Sequence, residues 1–106
     1  MCIRDSFGVM GGQYQAIGHA RVLSNIKDYG MEFQESLNFP RSFYFDGILN
    51  LERGYSKATK RQLSEIGYKI EEATIPIGGA QLVRFDSSGV LIGASDPRKD
   101  GCALGY

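Results

Sequence analysis

Tryptophan is absent from the chain, histidine occurs once, and proline only three times. Two cysteines, Cys2 and Cys102, sit near opposite ends. A small disulfide scaffold needs more of them. His19 stands alone and no cysteine pair has ligand spacing, so neither a metal site nor a cofactor is expected. His19 reads as a polar or capping residue of a helix. An excess of one charge is missing too, since 12 basic side chains balance 12 acidic ones. Phosphate binding needs a basic surplus or stripe, so no nucleic-acid partner is expected. No apolar run approaches the roughly 18 residues of a membrane span. The first ten residues lack the apolar core of a signal peptide. Glycine, by contrast, is abundant: 14 of 106 residues, nearly twice the usual ~7%. It follows no period, which excludes collagen and points to tight turns or close backbone approaches. A hydrophobic content of 42% excludes wholesale disorder, and the length allows one domain.

Met1-Cys2-Ile3-Arg4-Asp5-Ser6 has no evident structural purpose. It resembles the translation of ATG TGT ATA AGA GAC AG, a transposase-adapter end used in sequencing libraries. Residues 1–6 are therefore read as an adapter artefact and residues 7–106 as the native segment. The competing reading removes Met1 and makes Cys2 an N-terminal nucleophile with its own amine as base. The adapter accounts for the same residues without chemistry.

The pattern downstream is α+β. Ile17, Val22, Leu23, Ile26 and Tyr29 recur at helical spacing and predict a helix over 13–29, with Gly30 as its cap and Gly18 as a weak point or a close-packing position. Phe33 and Leu37 predict a short helix over 32–38 that stops before Pro40. Residues 42–52 predict a hairpin turning at Asp46-Gly47. Ser56 as N-cap and Gly67 as terminator bound a helix over 57–66, whose apolar face is Ala58, Leu63 and Ile66. A strand is predicted over 68–75, a loop over 76–79, and a second hairpin over 81–94 turning at Asp86-Ser87-Ser88-Gly89. An irregular tail follows from Asp96.

Candidate chemistry is sparse. Glu71-Glu72 point to opposite faces of a strand and read as solvated. Lys57, Lys60 and Arg61 read as a solvated helix face. No serine has a second histidine to act as its base. Cys102 reads as a packed or idle thiol. Gly11-Gly12 stands out because it precedes a helix, where free N–H groups and the positive dipole end collect. Such a turn can hold an anion or a developing oxyanion, and an ordinary loop is the alternative.

Several segments occur in a family order. Gly11-Gly12 leads into Asp28-Tyr29-Gly30-Met31. Glu35-Ser36-Leu37 with Pro40-Arg41 is similar to an E-A-x-x-x-P-R stretch. Leu51-Glu52-Arg53-Gly54, the passage Leu63 to Ile70, Gly79-Ala80-Gln81 and the closing Gly93-Ala94-Ser95-Asp96-Pro97-Arg98 follow. From Gly11 to Tyr106 the chain resembles the C-terminal part of a γ-glutamyltransferase (γ-glutamyltranspeptidase, glutathione hydrolase) small subunit. Tyr68 replaces a common His, and Ser36 a common Ala. Gln13-Tyr14-Gln15 replaces the Ser then Arg of better-studied members, which leaves the substrate open.

The resemblance implies part of an N-terminal-nucleophile (Ntn) hydrolase fold, an αββα sandwich incomplete without upstream sequence. It implies cleavage of γ-glutamyl amides such as glutathione by an N-terminal Thr, with water or an amine as acceptor. It assigns Gly11 and Gly12 to the oxyanion hole through their backbone N–H groups. The nucleophile lies outside this chain. Asp96, Pro97, Arg98, Pro40 and Arg41 are read as a structural motif. The implied partners are the rest of the small subunit and the large subunit of the same precursor. The chain alone is expected to be inactive, with an uncovered apolar sheet face that favours aggregation. The alternatives are a non-catalytic α+β interaction module and a related acylase acting on another amide.

Overall fold

A computed structural model describes residues 5–106. The proposed N-terminal nucleophile Cys2 lies outside the described residues. In chain order the elements are β1 (Asp5–Met10), a 3-10 turn (Gly12–Tyr14), α1 (Gln15–Lys27) and α2 (Phe33–Asn38). Then come β2 (Ser42–Phe45), β3 (Ile48–Leu51), α3 (Lys57–Glu65) and β4 (Ile70–Glu72). β5 (Gly79–Phe85), β6 (Leu91–Ser95) and a 3-10 turn (Pro97–Lys99) complete the chain. Where length alone allows a single domain, the chain forms two compact units. One joins residues up to Phe39 with Gly78–Tyr106, and the other is Pro40–Ile77.

The first unit is an antiparallel sheet in the order β1-β5-β6, with α1 and α2 on one face. Val9, Ala80 and Ala94 are buried on the helix side. Small residues here let α1 approach closely, and its buried face is Gly18, Val22 and Asn25. Of the predicted face Val22 is buried and Ile26 half-buried, but Ile17, Leu23 and Tyr29 are 47% exposed or more, which corrects that part of it. Gly18 is the close-packing position, because a methyl there would stand 2.6 Å from Val9 Cγ1. Gly30 does stand just past α1, at φ 65. β1 is a strand that the sequence pattern did not reveal. It includes Asp5 and Ser6, which pair with Arg84 and Val83. The opposite sheet face is apolar and open, with Met10, Val83, Phe85 and Leu91 each 43% exposed or more.

Helix side chains close both edges of this sheet. On the β1 edge His19 Nε2 accepts from the Val9 N–H at 3.2 Å. Its Nδ1 then donates to Gln15 O at 2.7 Å. On the other edge, the Gln34 amide donates to Ser95 O at 2.8 Å and accepts from Ser95 N at 3.2 Å, as a neighbouring strand would.

The β5–β6 hairpin turns on Asp86. Its Oδ1 accepts from Ser88 Oγ, Ser88 N and Val90 N at 2.7, 2.8 and 2.9 Å. The bond from the Ser88 side chain, then that from the Val90 backbone, holds its carboxyl below the usual aspartate value.

The second unit carries the predicted Asp46-Gly47 hairpin. Both residues take positive φ, 50 and 78, the two-residue turn that matches strand twist. β3 then pairs in parallel with β4 across α3. Ser56 caps α3 by accepting from Thr59 N at 3.0 Å. Of its predicted apolar face only Leu63 is partly covered, and Ile66 is 74% exposed. β4 is shorter than predicted, Ile70–Glu72, because only these residues reach the register of Leu49–Leu51. Glu72 meets Arg53 at 3.1 Å and Lys60 at 3.5 Å, while Glu71 meets Lys69 at 3.8 Å, so both are surface carboxylates. Hydrogen bonding to Arg53, then Lys60, holds the Glu72 carboxyl below its usual value.

Candidate functional site

β1 delivers the chain to Met10, which lies opposite Gly79. Gly11 then takes φ 145 and Gly12 φ 57, conformations that side chains resist. Gly11 O accepts from Tyr14 N at 3.0 Å, closing the 3-10 turn that runs into α1. The N–H groups of Gly12 and Gln13 begin this helical run, so no earlier helical carbonyl can accept from them. Both residues are exposed. The strand-to-helix turn thus presents backbone donors at the positive end of a 13-residue helix. A substrate carbonyl can approach Gly12 closely, because nothing lies within 4 Å of where a Cβ would stand.

Tyr14 anchors the turn from below. It is 2% exposed. A methyl at Gly18 would stand 2.7 Å from its Cε1, and one at Gly78 2.8 Å from its Cδ1. Of the departing triplet, Gln13 and Gln15 face solvent while Tyr14 is core. The two glutamines are thus the exposed polar residues that flank Tyr14.

Asp96, Pro97 and Arg98 lie in the same unit and build a corner. Asp96 is fully buried. Its Oδ2 accepts from Ala80 N at 2.8 Å, and its Oδ1 from Arg98 N and Arg98 Nη1, both at 3.0 Å. Arg98 also donates to Leu37 O at 2.7 Å and Phe39 O at 3.0 Å. One ion pair therefore ties the end of β6 to the start of β5 and caps the carbonyl end of α2.

Pro40 and Arg41 lie in the second unit. Arg41 is buried and donates from Nη1 to Ile77 O at 2.9 Å. Glu52, which in sequence marks only a strand end, accepts from Arg41 N at 2.9 Å and Ile77 N at 2.8 Å. Its carboxylate therefore clasps the two ends of that unit. Tyr55 donates from its hydroxyl to Pro40 O at 3.1 Å. Cys102 is exposed rather than packed. Among the described residues, no group of three His, Cys, Asp or Glu side chains is placed to hold a metal ion. No described helix is long and apolar enough to cross a membrane.

The fold recurs in a cephalosporin acylase of Bacillus halodurans, with a TM-score of 0.84 and 32% identity. The match covers 94% of this chain and 20% of that one. The mixed α+β architecture is that of an Ntn hydrolase. Residues 3–106 match the γ-glutamyltranspeptidase family, and the chain belongs to it. It is 28% identical to the glutathione hydrolase-like YwrD proenzyme of Bacillus subtilis, over 93% of this chain and 21% of that one. It is 33% identical to the glutathione hydrolase proenzyme of Escherichia coli, over 93% of this chain and 17% of that one. The chain thus spans about a fifth of the length of the curated relatives it matches.

Proposed function

We propose that this chain is the C-terminal part of a γ-glutamyltransferase-like Ntn hydrolase and supplies the oxyanion hole through Gly11 and Gly12. The observation that carries the reading is the Gly11-Gly12 turn, with the exposed Gly12 backbone donor at the head of the helical run that leads into α1. A Thr exposed by self-cleavage, on the upstream part of the precursor, attacks the amide carbonyl. The new C–O bond pushes the carbonyl electron pair onto oxygen, where the Gly pair receives it. The Thr α-amine takes the hydroxyl proton and passes it to the leaving amine. Water or an acceptor amine then releases the acyl group. The partners are a γ-glutamyl substrate such as glutathione, the rest of the small subunit and the large subunit. No step calls on a cofactor.

A related acylase acting on another amide is the second reading, favoured by the exposed glutamines 13 and 15 beside Gly12 and by the likeness to the cephalosporin acylase. γ-Glutamyl-p-nitroanilide and glutaryl-p-nitroanilide, which lacks the α-amine, separate the two when given to the complete processed enzyme. Turnover of the first alone supports the transferase reading, and preference for the second supports the acylase. The isolated 106-residue chain is expected to turn over neither. Turnover by it above a boiled control contradicts the proposal, because the nucleophile would then lie within it.

A further inference from the structure

We infer that Tyr14 is a positioning residue for the oxyanion donors, an inference that rests on the proposed role of Gly11 and Gly12. Two adjacent glycines have the widest conformational freedom of any dipeptide. A donor pair that must meet a developing charge gains from being held in place before the reaction. The local sequence offers no bulky side chain at Gly11 or Gly12 to hold it. Tyr14 is the group that does so from outside.

Three observations meet on this one residue. Its N–H bonds to Gly11 O at 3.0 Å and closes the turn. Its ring is almost fully buried. Three glycines from three separate segments abut it: Gly11 at the end of β1, Gly18 within α1, and Gly78 before β5. An added methyl would stand 3.4 Å from Tyr14 Cδ1 at Gly11, 2.8 Å at Gly78 and 3.1 Å at Gly18. Gly11 is also held from the Gly78 side, since its methyl would lie 3.0 Å from Gly78 Cα. The rigid ring is therefore the common reference for the strand that enters the turn, the helix that leaves it and the neighbouring strand. Displacing the ring moves the peptide plane between Gly11 and Gly12 while leaving the exposed substrate surface intact.

The test uses the complete processed enzyme carrying this segment, with the p-nitroanilide it turns over best. Tyr14→Leu keeps an apolar side chain but opens space beside Gly11. Its kcat is expected to fall about 30- to 100-fold, with KM changed less than about 3-fold, part of the loss seen when one oxyanion donor is removed outright. Tyr14→Phe keeps the ring that abuts the three glycines and is expected to lose clearly less kcat than Tyr14→Leu. Val22→Ala, on the same helix and equally buried, serves as a stability control whose kcat should not change. Should Tyr14→Leu fail to fold, Gly18→Ala presses on the same ring from the helix side and is expected to lower kcat in the same manner. The inference is overturned if Tyr14→Leu keeps its kcat, if Tyr14→Phe loses as much as Tyr14→Leu, or if Val22→Ala loses kcat in step with its melting temperature. A Gly12→Val variant with full kcat removes the underlying oxyanion reading instead.

Discussion

Gly12→Val in the complete enzyme is expected to lower kcat by about 10²–10³, the usual effect of losing one oxyanion donor. Gly12 sits at φ 57. A β-branched residue is a genuine outlier there, so the chain must turn its peptide plane to accept valine. The substitution does not crowd the core, because nothing lies within 4 Å of the Cβ position. The conformational cost is about 1–2 kcal/mol, too small to unfold a typical domain with 5–15 kcal/mol of stability. A large fall in rate with a small change in melting temperature therefore reports on the turn itself. KM should change little, since the charge that the donors meet appears only in the transition state. Parallel kcat, KM and melting measurements check the expectation, and an unchanged kcat contradicts it.

Asp96→Ala is expected to act on stability instead. Asp96 is fully buried and receives bonds from Ala80 N, Arg98 N and the Arg98 guanidinium. Removing the carboxylate takes the counter-charge from an Arg98 side chain that is only 11% exposed. Breaking a buried pair from one side costs about 3–5 kcal/mol. In an enzyme several times longer than this chain, that corresponds to a fall in melting temperature of roughly 3–5 °C. The loss belongs to the corner and not to the substrate, so the folded fraction should keep its KM. A raised KM at an unchanged melting temperature would move Asp96 from the scaffold to the binding site.

The two variants separate the two kinds of glycine-rich and charged motif in this chain. G-A-S-D-P-R is the most specific piece of the family resemblance, yet its charged residues are turned inward, against β5 and α2. Gly11-Gly12 is weak as a motif, yet Gly12 is exposed at the head of the helical run.

Legibility in the sequence follows the range of the forces involved. The Asp46-Gly47 hairpin and α3, with Ser56 at its head and Gly67 behind it, are set by local turn and capping chemistry. Both are where the pattern puts them. β1 carries no such mark, since Gly8 interrupts its alternation. It is a strand because β5, far along the chain, pairs with it and His19 bonds its outer edge. The face of α1 is legible in part: of the residues that periodicity selects, Val22 is buried and Ile26 half-buried, whereas Ile17 and Leu23 are exposed. Close approach of the sheet adds the small Gly18 and even Asn25. At the candidate site, the Gly11-Gly12 turn ahead of α1 is legible as a turn because its backbone chemistry is local, while its proposed oxyanion role comes from the family resemblance. Tyr14 is not legible, because its role depends on Gly18 and Gly78 meeting it in space. Glu52 was hidden likewise, as its two backbone partners, Arg41 and Ile77, lie on either side of it in the chain.

The most direct test of the oxyanion assignment is a crystal structure of the complete enzyme carrying a tetrahedral phosphonate adduct of its acyl substrate. The account predicts the anionic phosphonyl oxygen about 2.7–3.1 Å from the backbone nitrogens of Gly11 and Gly12. An oxygen held by other donors, with both glycine nitrogens beyond roughly 3.5 Å and outside hydrogen-bond reach, would contradict it.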